Sequence, residues 1–294
     1  MKYTIFDGNN LIARCLLPWT MVVSKNDRIP YAFLRTIRKA IVDFPADRFL
    51  FLRDISASKF RQEIFPEYKV KRKEVKNKNM EGKKAEFWKT YPRQQKACFT
   101  IVKEMLPMTL IEADGFEADD LAWLVCEIVA DGTNELTFVS TDDDYIQLTK
   151  FPKVKIWNPW KKWREAPEKC DIAQIKALSG CKTDEIPGIK GVGEKTAIRM
   201  LKEANAAGAD IEELLENTGN FEALDIYRRN IKLVDLSFVE FPTSLREEVT
   251  KLVLKDEPQF CEEKLKEYAV SQNMKQLLST FEENFAPAWR DISF

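Results

Sequence analysis

Two short runs of acidic residues are the part of this sequence most suited to chemistry. Glu117, Asp119 and Asp120 lie close together, and Asp142 and Asp144 form a second group. Carboxylates at such spacing repel one another, so ionising all of them is costly unless a cation neutralises them. Carboxylate oxygens are the ligands that Mg²⁺ or Mn²⁺ prefers. Two such ions about 4 Å apart can activate water and stabilise the leaving oxygen in phosphodiester hydrolysis.

The composition narrows the chemistry further. The chain has 294 residues and no histidine, which excludes Ser-His-Asp triads, histidine zinc sites and imidazole acid–base catalysis. Its six cysteines form no Cys-x-x-Cys pair, so we expect reduced thiols rather than a disulfide framework or a zinc site. Catalysis is then left to carboxylates, lysines, tyrosines or a bound hard metal ion.

The acids follow short apolar runs that resemble buried strands. Each run ends in or leads into acid: Lys2–Phe6 before Asp7, Arg48–Arg53 before Asp54, Thr109–Ile111 before Glu112 and Asp114, and Leu136–Thr141 before Asp142. Helical patterns lie between them, at Pro30–Val42, Gln94–Leu106 and Glu117–Ala130. This alternation predicts an α/β fold whose central, mainly parallel sheet is flanked by helices.

The predicted topology brings the acids together, because open α/β sheets bind ligands at the carboxyl ends of their strands. A single acid at a helix start can equally cap free N–H groups and favour the helix dipole. That interpretation does not explain why several strands all end in acid. We therefore favour a metal site.

A glycine-rich segment, Ile186–Ala197 (IPGIKGVGEKTA), is typical of a helix–hairpin–helix motif. Gly191 and Gly193 would let the backbone approach a phosphate closely, and Lys190 and Lys195 would supply positive charge. Such a motif binds a nucleic-acid backbone without reading its sequence. The alternative is a plain turn between two helices.

A basic segment interrupts the alternation of strands and helices. Residues 69–84 carry eight basic and two acidic side chains, a net charge of +6, in a chain whose overall charge is −1. The segment has little apolar periodicity, so we predict a solvent-facing insertion. Lys69 and Arg72 are three residues apart and would share a helical face, where they and Arg61 could hold a phosphate beside Tyr68. The alternative is a solvated surface.

In combination these motifs resemble the 5′-nuclease family, which includes flap endonucleases, phage-type 5′–3′ exonucleases and the 5′-nuclease domains of bacterial DNA polymerases. The resemblance extends from Asp7 to about Leu201. The order of the motifs also matches: Asp-Gly-Asn, a strand ending in acid, Tyr-Lys-x-x-Arg, Glu-Ala-Asp-Asp, Thr-x-Asp-x-Asp and helix–hairpin–helix.

The resemblance implies a two-metal centre loaded with Mg²⁺ or Mn²⁺. One ion would be held by Asp7, Asp54, Glu117 and Asp119, and the second would be surrounded by Asp120, Asp142, Asp144 and Asp184. The acids that match no family ligand are expected outside both sites: Glu112, Asp114 and Asp143.

The resemblance also implies how DNA is held. Lys69 and Arg72 would contact the phosphate at the base of a helical arch at about residues 70–92, with Arg61, Tyr68, Lys83 and Lys84 as further DNA contacts. The hairpin at about residues 184–201 would grip duplex DNA, and a K⁺ ion bound by its backbone carbonyls is a further expectation.

One position departs from the family pattern. Cys181 stands where the family has an aspartate, and Glu185 replaces an asparagine. A thiol is a poor ligand for a hard cation, and neighbouring Lys182 would repel one, so we expect weaker binding of the second ion. The departure keeps open an alternative function, a structure-specific DNA-binding protein with little or no turnover. An RNA-directed nuclease with the same fold is a third possibility, against which the hairpin argues.

The expected organisation is an α/β catalytic core over residues 1–166 and a helical region over residues 167–294 that packs back on the core. We expect a monomer that acts on DNA 5′ ends, flaps and nicks, with RNA–DNA hybrids and replication proteins as further partners. No membrane-spanning run or signal peptide is evident, so a cytoplasmic location is expected, or the host cytoplasm for a phage protein.

Overall fold

The computed structural model describes residues 1–16, 28–70, 85–160, 162–167, 170–254, 259–290 and 292, with only the backbone described at 16, 28 and 85–88. The predicted contacts Arg72, Lys83 and Lys84 therefore lie outside the described residues or side chains. In the described part of the chain, no helix is both long enough and apolar enough to span a membrane.

A six-stranded sheet forms the centre of the molecule, in the order β3-β2-β1-β4-β5-β6. The strands are β1 Lys2–Asp7, β2 Arg48–Arg53, β3 Thr109–Glu112, β4 Glu135–Val139, β5 Val154–Asn158 and β6 Lys162–Arg164. All neighbouring pairs are parallel except β5 with β6. The predicted mainly parallel sheet is confirmed; β5 and β6 were not predicted.

Helices cover both faces of this sheet. The elements of the first half are α1 Gly8–Leu16, α2 Arg28–Asp43, α3 Lys59–Ile64, α4 Ala85–Met105, α5 Ala118–Val129 and a 3₁₀ segment Asp143–Lys150. Those of the second half are α6 Ile172–Ser179, β7 Gly180–Cys181, β8 Ile186–Pro187, α7 Glu194–Ala207, α8 Ile211–Asn217, α9 Phe221–Val234, a 3₁₀ turn Leu236–Phe238, α10 Thr243–Leu254, α11 Glu262–Ser271, α12 Lys275–Ser279, a π-helical turn Phe281–Phe285 and α13 Pro287–Arg290.

Alternate residues of the central strands face opposite layers, as the pleat of a strand requires. Phe6 and Phe51 pack with α1, α2 and α4. Ile5 and Leu52 pack with α5 on the other face. Because both faces are buried, these strands read as continuous apolar runs, and that pattern made them visible in the sequence.

The C-terminal half contributes to all three clusters of buried apolar residues. Helices α6 to α9 form their own cluster, in which Leu178, Leu201 and Leu224 are buried. Helix α10 instead packs beside α5 through Val253. The last helices return to the layer of α1, α2 and α4, where Trp289 is buried. Apolar contacts therefore cross the predicted domain boundary at residue 166.

Helix α4 begins earlier than predicted. It starts at Ala85 rather than Gln94 and continues through Pro92. Proline removes one backbone hydrogen bond inside a helix, so an interior proline such as Pro92 is uncommon. The end of the predicted arch is therefore continuous with a helix of the core.

Candidate active site

Acidic side chains from five separate segments of the chain line one cavity of about 370 Å³ at the carboxyl edge of the sheet. Seven of the eight predicted metal ligands are among them: Asp7, Asp54, Glu117, Asp119, Asp142, Asp144 and Asp184. Lys69 lines the same cavity, together with Asn10, Tyr91 and Tyr145. The parallel register explains the convergence, because Phe6 pairs with both Phe51 and Val139 and so aligns the ends of three strands.

Asp7 lies at the end of β1 and is almost fully buried. The Ser140 hydroxyl donates to its Oδ2 at 2.6 Å, and the Asn10 N–H donates to Oδ1 at 3.4 Å. Burial raises the pKa of Asp7 well above its ordinary value, and the charges of Asp54 and Asp142 raise it further. Because both of these hydrogen-bond donors are neutral, they do not cancel the negative charge of the Asp7 carboxylate, which a cation could neutralise.

Asp54 follows β2 and faces the start of α5. Its Oδ1 accepts the Ala118 N–H at 2.5 Å, a bond that satisfies one free donor of the helix terminus. Burial raises the pKa of Asp54 to about 6; this backbone bond lowers it, and Asp119 and Glu117 raise it. The carboxylate thus lies where negative charge already accumulates.

Glu117 is held by donors on both of its oxygens. Lys69 Nζ lies 2.6 Å from Oε1, and the Tyr68 hydroxyl donates to Oε2 at 2.7 Å. Lys69 also lies 3.4 Å from Asp184 Oδ1.

The backbone of Lys69 has a φ of +56°, a conformation that non-glycine residues rarely adopt. Lys69 is therefore in a turn, and the predicted helical face shared with Arg72 is wrong at this residue.

Two of the predicted DNA contacts are buried instead. Arg61 and Tyr68 are only 2% and 3% exposed. Arg61 Nη1 donates to Glu117 Oε2 at 3.1 Å, and Nη2 lies 2.8 Å from Asp120 Oδ1. Its Nε donates to the Leu233 carbonyl at 2.9 Å. The structure corrects both predictions: these side chains support the acidic cavity from behind and do not face a substrate.

Asp120 is the one predicted metal ligand that does not line the cavity. Its side chain is fully buried and paired with Arg61. Its Oδ2 also accepts the Glu117 N–H at 2.9 Å, which makes it the second member of a capping box at the start of α5. Its role as a ligand is therefore corrected to a structural one.

The remaining acids of the cavity meet a lysine that sequence reasoning missed. Lys176 Nζ on α6 lies 2.5 Å from Asp144 Oδ1. Burial raises the pKa of Asp144 to about 7 against the lowering effect of Lys176. Asp142 caps the 3₁₀ segment by accepting the Asp144 N–H at 3.0 Å. Lys176 belongs to no motif, so only the folded chain reveals it.

Cys181 lies behind Asp184 and does not line the cavity. Its thiol is 3.0 Å from Asp184 Oδ2, to which it donates. Burial raises the pKa of this thiol, and the charge of Asp184 raises it further, so the group stays neutral at ordinary pH. The sulfur is thus a hydrogen-bond donor to a candidate ligand rather than a ligand itself.

The three acids expected outside the site form ion pairs with residues that do not line the cavity. Each has a cationic partner in a neighbouring element: Asp143 with Arg164 at 2.6 Å, Glu112 with Arg53 at 2.9 Å and Asp114 with Lys59 at 2.6 Å.

The chemistry of the cavity fits a hard divalent cation. The negatively charged groups that it offers as metal ligands are carboxylates. Burial and mutual repulsion raise the pKa values of Asp7 and Asp54. Such shifts indicate that nearby positive charge does not fully compensate the negative charge. Among the described residues, no three acidic or cysteine side chains are already grouped closely enough to hold an ion.

The predicted hairpin lies between α6 and α7. Gly191 has a φ of +82°, and added Cβ atoms at Gly191 and Gly193 would meet nothing within 4 Å, so this backbone borders open space. Lys190 and Lys195 are exposed beside it. Gly193 caps α7, whose first turn leaves free N–H groups.

Comparison with known proteins places the chain in a family. The model of the 5′–3′ exonuclease N-terminal, resolvase-like domain matches residues 2–178. The chain belongs to this 5′–3′ exonuclease family, as its motifs predicted. The 5′–3′ exonuclease of Aquifex aeolicus is 28% identical, over an alignment that covers 97% of this chain and 96% of that protein.

Other relatives are much longer proteins. The thermostable DNA polymerase I of Thermus filiformis is 27% identical over 243 residues, 79% of this chain but 26% of the polymerase. DNA polymerase I of Bacillus subtilis is 27% identical over 74% of this chain and 24% of its own length. The chain thus spans about a quarter of these polymerases.

Solved structures share the fold. Phage T5 5′-exonuclease with bound zinc superposes with a TM-score of 0.71 and 22% identity, over 87% of this chain and 99% of that one. Phage T5 flap endonuclease, in a pseudo-enzyme–product complex with DNA and metal ions, gives a TM-score of 0.70, also at 22% identity, over 86% and 98%.

Proposed function

We propose that this chain is a divalent-metal-dependent 5′-nuclease, which hydrolyses phosphodiester bonds at the 5′ ends and flap junctions of DNA. The observation that carries the proposal is the convergence of seven carboxylates from distant segments on one cavity. Family membership agrees with it. Removal of RNA primers from RNA–DNA hybrids, alongside other replication proteins, is the cellular role we infer.

Four carboxylates would hold the first ion: Asp7, Asp54, Glu117 and Asp119. A bound Mg²⁺ or Mn²⁺ would lower the pKa of a water molecule and stabilise charge on the phosphate. Asp142, Asp144 and Asp184 also line the cavity and would surround a second, more weakly held ion. The oxygen-only donor set favours Mg²⁺ or Mn²⁺ over softer metals.

Lys69 would act on the substrate. The Lys69 side chain is 14% exposed and its ammonium pairs with Glu117 at the cavity wall. When a cation neutralises Glu117, the ammonium becomes available to a phosphate oxygen. Arg72 would join it there, with Lys83 and Lys84 placed farther along the arch. The positive charges of Lys69 and Arg72 and those of the bound metal ions would together position a phosphodiester between them.

The hairpin between α6 and α7 would hold duplex DNA away from the cleaved bond. Gly191 and Gly193 expose backbone that a phosphate could approach, and Lys190 and Lys195 add charge. Such contacts are insensitive to sequence, as a structure-directed nuclease requires. We also expect backbone carbonyls of this segment to hold a K⁺ ion.

A nuclease assay on three substrates tests the proposal: a 5′-flap, a nicked duplex and an RNA–DNA hybrid, each with titrated Mg²⁺. We expect EDTA-sensitive cleavage and a loss of more than about 100-fold in Asp119→Ala, because the ligand itself is removed. Asp143→Ala is the matched control, since this neighbouring acid pairs with Arg164 outside the cavity. Equal cleavage by Asp119→Ala and the parent would show that the metal assignment is wrong.

The same assay separates the alternative, a DNA-binding protein with little or no turnover. Its motivation is Cys181, yet this thiol lies behind Asp184 rather than in the cavity. Tight binding of flaps with negligible cleavage in Mg²⁺ and Mn²⁺ would favour it. The family relationship favours hydrolysis.

A further inference from the structure

Lys176 projects from α6 towards the part of the cavity where the second ion is expected. Its Nζ lies 2.5 Å from Asp144 Oδ1, and the two side chains are only 18% and 14% exposed. A hydrogen bond this short between a lysine and a carboxylate shielded from water is a strong, charge-assisted interaction. Asp144 is therefore engaged by an internal cation.

The groups around this ammonium are those of the expected second site. Besides Asp144, the charge of Asp142 acts on Lys176, and the neutral Cys181 thiol lies nearby. The Asp144 N–H donates to Asp142 Oδ1, and Cys181 ends the short strand β7 that directly follows α6. The ammonium thus lies among an Asp pair and the position where the family has a further aspartate.

A lysine and a divalent ion compete for such a position. The ammonium satisfies Asp144 Oδ1 and neutralises one negative charge, and a cation approaching the same carboxylate meets its repulsion. The neutral Cys181 thiol, which donates to Asp184 Oδ2, adds no negative charge that would draw a divalent ion in. Both features weaken the binding of a divalent ion near Asp144.

We propose that the Lys176 ammonium takes the place of the second divalent ion in the resting protein, so that one ion binds tightly and another only when Lys176 leaves Asp144. The proposal rests on the proposed function, because it assumes that the cavity binds divalent ions. It assigns Lys176 as a positioning residue that sets the number of bound ions.

Counting Mn²⁺ ions bound by the full chain without DNA, by electron paramagnetic resonance and calorimetry, tests this. We expect one tight ion in the parent and, in Lys176→Met, at least a tenfold gain in affinity for a second ion. Lys176→Met combined with Cys181→Asp should bind two tight ions. Lys176→Arg keeps the positive charge and should behave as the parent does.

Lys150→Met is the matched control, since this half-exposed lysine pairs with Asp171 and Asp235 outside the cavity. Two equally tight ions in the parent, unchanged in Lys176→Met, would overturn the inference and leave the nuclease proposal intact. No bound Mn²⁺ in the parent would instead refute the metal site itself. Cys181→Asp alone, with Lys176 present, should gain little; two tight ions in this variant would also overturn the inference.

Discussion

Replacing Arg61 by methionine is expected to destabilise the protein strongly, because its guanidinium is the internal counterion of the acids at the start of α5. Nη1 and Nη2 contact Glu117 and Asp120 at 3.1 and 2.8 Å, and Nε contacts the Leu233 carbonyl at 2.9 Å. The Arg61 side chain is 3% exposed and that of Asp120 is 0% exposed. Methionine fills a similar volume and removes all of these bonds.

The magnitude follows from what is left behind. Removing one partner of a buried ion pair costs about 3 to 5 kcal/mol, since an uncompensated charge remains out of water. Asp120 would keep only the Glu117 N–H, at 2.9 Å. Because a domain is stabilised by about 5 to 15 kcal/mol in total, the loss is a large fraction of the free energy of unfolding. Combining Arg61→Met with Asp120→Asn should recover part of it, because the fully buried residue 120 then carries no uncompensated charge.

Urea denaturation of the two variants measures the difference. Lys59→Met is the matched control on the same helix, where Lys59 pairs with Asp114 at 2.6 Å but the two side chains are 64% and 68% exposed. We expect a much smaller loss there, because solvent screens exposed pairs. Equal losses in Arg61→Met and Lys59→Met would refute the buried-counterion argument. If the double variant were less stable than Arg61→Met, neutralising Asp120 would not be the compensation we infer.

Two further predictions concern the cavity and the hairpin. Burial raises the pKa of Asp54 from 3.8 to about 6, so the stability that its proton confers is full below about pH 4 and lost as pH rises through about 6. Thermal melts in EDTA should show this fall, on the order of 1 to 3 kcal/mol, and Asp54→Asn or added Mg²⁺ should reduce it; an unchanged slope in Asp54→Asn would contradict the assignment. Replacing Lys190 and Lys195 by alanine should weaken duplex binding on every sequence and lower the salt slope by about 1 per lysine, measured by fluorescence anisotropy. The exposed Lys251 of α10 is the control, and an equal effect there would mean that the hairpin has no special role.

The position of the acids could be predicted because it follows from two regular rules. Buried parallel strands read as apolar runs, and their carboxyl ends meet at one edge. These two rules are enough to predict that Asp7 and Asp54 lie at this edge of the sheet. At the start of helix α5 the sequence allows two interpretations. Glu117 and Asp120 have the spacing of a capping box as well as that of a metal cluster. The burial of Asp120 decides between the two interpretations, and burial is a tertiary property.

The basic residues were less predictable, because their partners are distant in sequence. Arg61 and Lys69 reach acids about fifty positions away, and Lys176 reaches Asp144 across 32 positions. A positive φ at a lysine has no sequence signal, unlike one at glycine. Strand β6 has three residues and an exposed face, too short for a recognisable period.

Neutral and charged donors divide the cavity into two unequal parts. Asp7 and Asp54 accept hydrogen bonds from the Ser140 hydroxyl and the Ala118 N–H, which orient the carboxylates but neutralise no charge. Asp144, by contrast, has the ammonium of Lys176. Electrostatic demand for an added cation is therefore greatest at the ends of β1 and β2. Lys69 likewise pairs with Glu117 and Asp184, so Asp7 and Asp54, whose described hydrogen-bond donors are neutral, are the carboxylates that an added cation would neutralise first.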